Sequence, residues 1–292
     1  MLETLSTDQL RTFATIADTG SYTHAAEKLY RSQPALSIQI KRLEEQLGAK
    51  LFRRSGRTST LTEAGRVLLT YARRILDLNE EAIGKLTMID EQGIVRVGVL
   101  EEVTHGPLVS LLTRFGKLCT RVNIELEVAN SWDLIERVQK NELCLAIANS
   151  AYGDAPHTPL WNERYLWAMS VGYDLSASGP LQLIADPEGS PCVGMCSAID
   201  GLKASGREYE RVFSSMSLLA TQAAIRAGLG VGMIAESATT DDMVILGPAE
   251  GLPEIAEARI ALYRGTEAQG AAAGSLFDFL VSNLQKPEMA TA

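Results

Sequence analysis

The sequence of 292 residues holds no apolar run near the ~18–20 residues that a membrane-spanning helix needs. Its opening, MLETLSTDQLRTF, lacks a basic segment followed by an apolar one, so no signal peptide is expected. Cysteine is scarce. Four in a chain of this length make no disulfide framework and suit a reducing compartment, here the cytoplasm. There is no Gly-x-Ser-x-Gly, no Walker loop and no His-Glu-x-x-His, which removes the local signatures of a serine hydrolase, a P-loop and a zinc protease. Histidine is limited to His24, His105 and His157. Cys192-x-x-x-Cys196 invites a metal or redox reading, but it has no nearby histidine and is not Cys-x-x-Cys; buried structural thiols are the better reading. Gly228, Gly230 and Gly232 stand between a helix and a strand, the reverse of the order a dinucleotide loop requires. No nucleophile–base–orienter set is visible, so no enzyme, cofactor or metal is expected. No internal repeat occurs, and the one biased tract is the Gly/Ala stretch 270–274.

What is present is an ordinary globular composition, 46% hydrophobic and 22% charged, with an uneven charge. The net charge is −9. Residues 1–62 nevertheless hold nine Lys/Arg against six Asp/Glu, a net +3, and the rest holds 18 against 30, a net −12. A basic head on an acidic body implies that only the head meets a polyanion.

The head reads as helices. Leu10, Phe13 and Ile16–Ala17 recur at helical spacing over 6–18, with Ser6 or Thr7 as N-cap and Gly20 as terminator. Ser21 caps a short second helix whose Ala25, Ala26 and Leu29 face inward. SQPALSIQIKRLEEQLG (32–48) then starts with Ser32 as N-cap and Pro34 in the first turn, and ends at Gly48. Leu36, Ile40, Leu43 and Leu47 make its core stripe, and Gln33, Ser37, Gln39, Lys41 and Arg42 its other face. Three such helices with a short second link predict a helix-turn-helix. LFRRSGRTSTLT (51–62) predicts a small hairpin about Ser55-Gly56, a wing bearing Arg53, Arg54 and Arg57.

From Thr62, a cap, and Glu63, the pattern is helical to about residue 90. Leu68, Tyr71, Ile75, Leu78 and Ala82 form a heptad seam that Lys85 breaks and Leu86 and Ile89 resume. A single stripe on a helix ~40 Å long predicts a partner helix, most simply its copy in a dimer. Beyond Gly93, strands at 94–100, 122–130, 143–149, 166–171, 231–237 and 258–264 alternate with helices at 107–118, 132–142, 217–230 and 275–285, with a Gly/Pro-rich stretch after 171. That order predicts a parallel α/β sheet.

At this point the chain resembles the LysR-type transcriptional regulators over nearly all its length. The dense part is residues 10–66, where Gly20-Ser21, Ala25-Ala26, Ser32-Gln33-Pro34-Ala35-Leu36-Ser37, Leu43-Glu44, Leu51-Phe52 and Leu61-Thr62-Glu63-Ala64-Gly65 fall in the family's order. NSWDLIERV, NELCLAIAN, LWNERYLWAMS and IRAGLGVGMIAES follow in the order of its effector domain, with Asn141 and Cys144 where the family pattern has Gly and Asp. The resemblance implies an α/β protein overall: an all-α winged helix-turn-helix at 1–62, a linker and dimerisation helix at 63–92, and a two-lobed, periplasmic-binding-protein-like α/β domain at 93–292. Lobe one is expected at about 93–167 and 265–292, lobe two at about 168–264.

The implied partners are double-stranded DNA with an interrupted palindrome, a small-molecule effector of unknown identity, and further copies of the chain as a dimer or, by the family's habit, a tetramer. An α-helix fits the major groove, where base edges are distinguishable. Ser32, Gln33, Pro34, Ser37, Ile38 and Lys41 would face it, Gln33 pairing with an adenine edge and Pro34 and Ile38 packing on thymine methyls. Arg31, Lys41, Arg42, Arg53, Arg54 and Arg57 suit phosphates; Arg42 has the alternative of a surface pair with Glu44 or Glu45. A two-lobed body holds ligands between its lobes. Its expected lining is Leu100, Glu101, Val103, Thr104, His105, Ser131, Trp132 and Ala148 on one side and Ser214, Ser215 and Ser217 on the other, where a helix start offers N–H groups to an anion. Resemblance points to Thr104, Ser131 and Ser215 as hydrogen-bond donors, each with a rival role as a helix cap. Trp132 serves equally as core or as ligand platform, and Glu101 and Glu102 argue against a polyanionic ligand. Two rival classes are a transport-type binding protein, which the arginine wing opposes, and an enzyme on an α/β scaffold.

Overall fold

The computed structural model describes residues 4–55, 58–87, 92–175, 179–266 and 270–284. The chain divides into two compact units, one of residues 1–90 with 117–120 and one of the remainder.

In the first unit, α1 (Thr7–Thr19), α2 (Tyr22–Lys28) and α3 (Gln33–Leu47) precede the antiparallel pair β1 (Phe52–Ser55) and β2 (Thr58–Leu61), and α4 (Glu63–Thr87) follows. Local chemistry sets these boundaries. Gly20 and Gly48 end α1 and α3 in the left-handed conformation, φ 63° and 64°. The Ser21 hydroxyl accepts from His24 N–H, and the Thr62 hydroxyl accepts from Gly65 N–H at 3.0 Å, capping α2 and α4. Ser6 and Ser32 occupy N-cap positions but make no side-chain cap bond. One core joins these elements: Leu10, Phe13 and Ile16 meet Ala25, Ala26, Leu36, Ile40, Leu43, Leu51, Leu68 and Ala72. Each large apolar side chain buried there contributes about 1.5–3 kcal/mol. Leu47 is not part of that core. It is 39% exposed in the last turn of α3, where the neighbouring helices no longer cover the stripe. The seam of α4 likewise divides: Leu68 and Ile75 pack on the head core, whereas Tyr71 and Leu78 are exposed. Ile89 and Arg57 lie outside the described residues, as do the side chains of Arg54 and Lys85.

The second unit holds two five-stranded sheets. The first is built from β3 (Gly93–Val99), β4 (Val122–Val128), β5 (Leu145–Asn149), β6 (His157–Glu163) and β12 (Ala258–Arg264), in the order β4-β3-β5-β12-β6. The second is built from β7 (Tyr165–Ser170), β8 (Leu181–Ala185), β9 (Tyr209–Ser214), β10 (Val231–Ala235) and β11 (Met243–Leu246), in the order β11-β7-β10-β8-β9. Helices α5 (Leu108–Leu118), α6 (Ser131–Gln139), α7 (Val193–Ala204), α8 (Leu218–Arg226) and α9 (Ala271–Leu284) complete it. The sheets are mixed, not parallel throughout. β12 runs antiparallel to β5 and β6, and β7 antiparallel to β10 and β11. Because β12 pairs in the first sheet, the chain returns to that lobe between Leu246 and Ala258, not at residue 265. It leaves at Arg164, between β6 and β7, and not after 167.

Four strands and one helix have no counterpart in the sequence reading. Pro159 sits inside β6, which is tolerated because β6 is an edge strand. β8 is short and hemmed by Gly179-Pro180 and Asp186-Pro187. In α7, Gly194 and Gly201 weaken helical propensity, yet both are required by packing. A Cβ at Gly194 would stand 3.0 Å from the Tyr165 ring, and one at Gly201 2.7 Å from Pro253. Asn141, at the family's glycine position, has φ 58°, a conformation asparagine tolerates better than most residues. Among the described residues no helix is long and apolar enough to cross a membrane.

Candidate functional site

Two places in the molecule concentrate unusual side chains. The first is the outward face of α3. Gln33, Pro34, Lys41 and Arg42 are exposed, and Ile38 is 53% exposed, a large apolar group held in water beside polar ones. Ser37 is half-buried and accepts from Gln33 Nε2 at 3.1 Å. Lys41 lies 3.7 Å from Glu45, one turn on. Glu44 is engaged by Lys50 at 2.6 Å, so Arg42 has no ion pair with either glutamate. Gln39 is turned away from this face. It accepts from the Thr12 hydroxyl at 2.6 Å and donates to Asp8 at 2.7 Å, tying α3 to α1. Arg31 is bound in the same network, both of its terminal nitrogens donating to Asp8 at 2.9 Å. That guanidinium holds the Asp8 carboxyl below the usual carboxylate range. Arg31 is therefore already engaged in an ion pair within the head. Ser32 and Arg53 are exposed, and Arg54 lies in β1. One residue was not singled out from the sequence. Tyr30 sits in the turn before α3 with φ 51° and is 95% exposed, an aromatic ring in a strained and open position. No spacing marks it, since it belongs to no periodic stripe.

The second place is a cavity of about 370 Å³ between the two sheets of the C-terminal unit. Leu100, Glu101, Ser131, Trp132 and Ser217 line it as expected. Val103 and Ala148 do not, because both are buried in the core; the strand's two-residue period turns Asn149 to the cavity instead. Thr104 and His105 are outside the lining too, the Thr104 hydroxyl donating to Glu101 O at 2.6 Å within its own short turn. Ser214 is exposed, and the Ser215 hydroxyl accepts from Ser217 N–H at 3.1 Å. The Ser131 hydroxyl accepts from Asn149 N–H at 3.0 Å.

The N-terminus of α8, expected to be open to an anion, is already filled. Glu101 accepts from the Ser217 hydroxyl at 3.2 Å and from the N–H groups of Leu218 and Leu219 at 2.8 and 3.3 Å. Sequence reading missed other residues of the wall, some on or beside strands it expected (β7) and some from segments it left unassigned (β8 and α7). Tyr165, Asp186, Cys192 and Met195 lie on or beside β7, β8 and α7. Tyr152 faces Trp132, ring centroids 5.5 Å apart, and its hydroxyl accepts from Val193 N–H at 2.7 Å. Burial raises the pKa of the Tyr152 and Tyr165 hydroxyls and pushes the Cys192 thiol up to about 12, so this thiol stays protonated and is a poor nucleophile. Cys196, expected to be buried, is exposed. Among the described residues no group of acids, histidines and cysteines is placed to hold a metal.

Residues 7–66 match the family described as "Bacterial regulatory helix-turn-helix protein, lysR family", and residues 90–285 match "LysR substrate binding domain". The chain is 31% identical to the HTH-type transcriptional regulator PecT of Dickeya dadantii (strain 3937), over 95% of this chain and 87% of that one. It is 30% identical to the HTH-type transcriptional regulator DgdR of Burkholderia cepacia, over 88% of this chain and 87% of that one. Among solved structures, CrgA, a LysR-type transcriptional regulator from Neisseria meningitidis, superposes with a TM-score of 0.55 at 22% identity, over 97% of this chain and 100% of that one. Full-length BenM gives 0.51 at 20% identity, over 94% and 95%.

Proposed function

This chain belongs to the LysR family of bacterial helix-turn-helix transcriptional regulators, and on that premise we propose which of its residues read DNA and which receive its effector. The observation that carries the reading is the outward face of α3, where Gln33, Pro34, Ile38, Lys41 and Arg42 stand exposed over a head core formed by the opposite stripe. α3 enters the major groove. Gln33 offers both amide atoms to an adenine edge, once released from Ser37, and Ile38 and Pro34 meet thymine methyls. Ser32 and Ser37 lie on the same face. Lys41, Arg42 and Arg53 neutralise phosphates, joined by Arg54 and, by its place in the sequence, Arg57, while Arg31 contributes less because Asp8 shares its charge.

One head reads few base pairs. The exposed Tyr71, Leu78 and Leu86 on α4 support pairing with a second copy, which would set two heads on an interrupted palindrome. The inter-lobe cavity is the effector site, with Glu101, Ser131, Trp132 and Ser217 among its walls. The protein acts in the cytoplasm, as a regulator without catalysis of its own, a reading supported by its membership of a family of transcriptional regulators.

A mobility shift on the DNA upstream of its own gene, titrated with salt, tests the head. Specific binding is expected, with Gln33→Ala relaxing base preference at one position at nearly unchanged salt dependence. Arg42→Ala or Arg53→Ala lowers the salt slope by ~1. Unchanged base preference at every position in Gln33→Ala would refute the assignment of α3 as the reading helix.

A further inference from the structure

Among the described residues, the cavity between the lobes is lined by three carboxyl groups, Glu101, Glu102 and Asp186, and by no lysine, arginine or histidine. The three are not equivalent. Glu101 closes the N-terminus of α8 with three hydrogen bonds, occupying the position to which the helix dipole would draw an external anion. The N-terminus of α7 is met similarly, by the Tyr152 hydroxyl. The ends of α8 and α7 are thus met from within the protein, whereas the start of α6, where Asn130, Ser131 and Trp132 line the cavity, carries no side-chain cap bond.

Glu102 has no such partner. Among the described residues its carboxyl, set in the cavity wall, is met only by its own backbone N–H; burial raises its pKa, and the neighbouring Glu101, Glu163 and Asp186 add to the rise. Asp186, raised by burial too, has the Ser190 hydroxyl at 3.0 Å and the charge of Arg211, which is itself outside the lining. The cavity thus holds acids that are costly to ionise, and a bound cation would offset that cost. Beside them, the Trp132 and Tyr152 rings form an aromatic corner, tilted at 58°. Aromatic faces attract both apolar groups and ammonium ions.

We propose that the inter-lobe cavity takes a small organic cation, a primary or quaternary amine on a compact apolar body, with Glu102 and Asp186 as its counter-ions and the Trp132–Tyr152 corner against its apolar part. The proposal rests on the cavity being the effector site and narrows that site to one charge class. A carboxylate ligand would meet three acids and, among the described lining residues, no cationic side chain, with the start of α6 as the helix end open to it.

Calorimetric titration of the full-length chain with benzylamine, and separately with its acidic counterpart benzoate, tests this. Benzylamine is expected to bind one to one and at least about tenfold more tightly than benzoate, a difference of ~1.4 kcal/mol. Glu102→Gln should weaken benzylamine about tenfold or more; if that variant fails to fold, Asp186→Asn carries the same expectation. Glu101→Gln removes the negative charge held at the start of α8 and should strengthen benzoate. Tighter binding of benzoate by the unaltered chain overturns the charge class and leaves the effector site standing. Unchanged benzylamine affinity in both Glu102→Gln and Asp186→Asn overturns the proposal. Binding of neither probe at millimolar concentration overturns it and counts against the cavity as the effector site as well.

Discussion

On α3, Gln33, Pro34, Ile38, Lys41 and Arg42 follow one another along a single helix and stand open to solvent. The wall of the cavity is made in the opposite way. Glu101 and Ser217, which touch through a hydrogen bond, are 116 residues apart in the chain. The two places also differ in sign and in self-sufficiency. The α3 face is basic and keeps its groups little engaged: among the described residues Arg42 makes no ion pair, and Gln33 holds only Ser37 on its own helix. The cavity is acidic, and Glu101, Ser131 and Tyr152 each hold a partner within the protein. A face that meets DNA is solvated before it binds, so its polar groups need no internal partners. A cavity withdraws its groups from water, so each must find a partner or carry the penalty, as Glu102 does.

The largest expected effect probes the support of the first region. Leu36→Ala removes a fully buried side chain beneath the reading face and should cost about 2–5 kcal/mol in urea unfolding. Leu47→Ala, on the same apparent stripe but exposed, should cost about 0.5 kcal/mol or less. Equal losses would mean that the stripe is buried along its whole length. A second test concerns the penalty in the cavity. Burial favours the protonated Glu102, so the native chain binds this proton more tightly than the unfolded one, and its contribution to stability falls as pH rises above the ordinary carboxylate range. Glu102→Gln should therefore raise the melting midpoint near neutral pH and leave it unchanged in acid; a lower midpoint at neutral pH would show that the carboxylate has a stabilising partner. The smallest effects separate a cap that is made from one that is not. Thr62→Ala should cost ~1 kcal/mol, whereas Ser32→Ala, at a position without a side-chain cap bond, should cost clearly less by the same unfolding measurement.

The head was legible because its signals are local. The caps at Ser21 and Thr62, the terminal glycines at 20 and 48 and the three-four spacing of Leu36, Ile40 and Leu43 each act within a few residues. Leu47 escaped that logic, since periodicity gives the face of a helix and not how far its neighbours extend. The second lobe was much less legible. In α7 the glycines that obscure the helix are the ones that let Tyr165 and Pro253 approach it. In β6, Pro159 hides a strand that only its edge position permits. The cavity list suffered accordingly: Asp186 and Cys192 follow or precede elements that no local pattern revealed.

The sequence by itself determined the helix-turn-helix, the split between basic head and acidic body, and the stripe of α3 with its outward residues, because spacing and charge act along the chain. Only the tertiary structure decided that Arg31 and Gln39 turn to Asp8, that β12 completes the first sheet, and that Glu101 fills a helix end 116 residues away. Those outcomes depend on which backbone N–H or carboxyl group comes within about 3 Å of which other, and distant segments meet at that range only once the chain has folded.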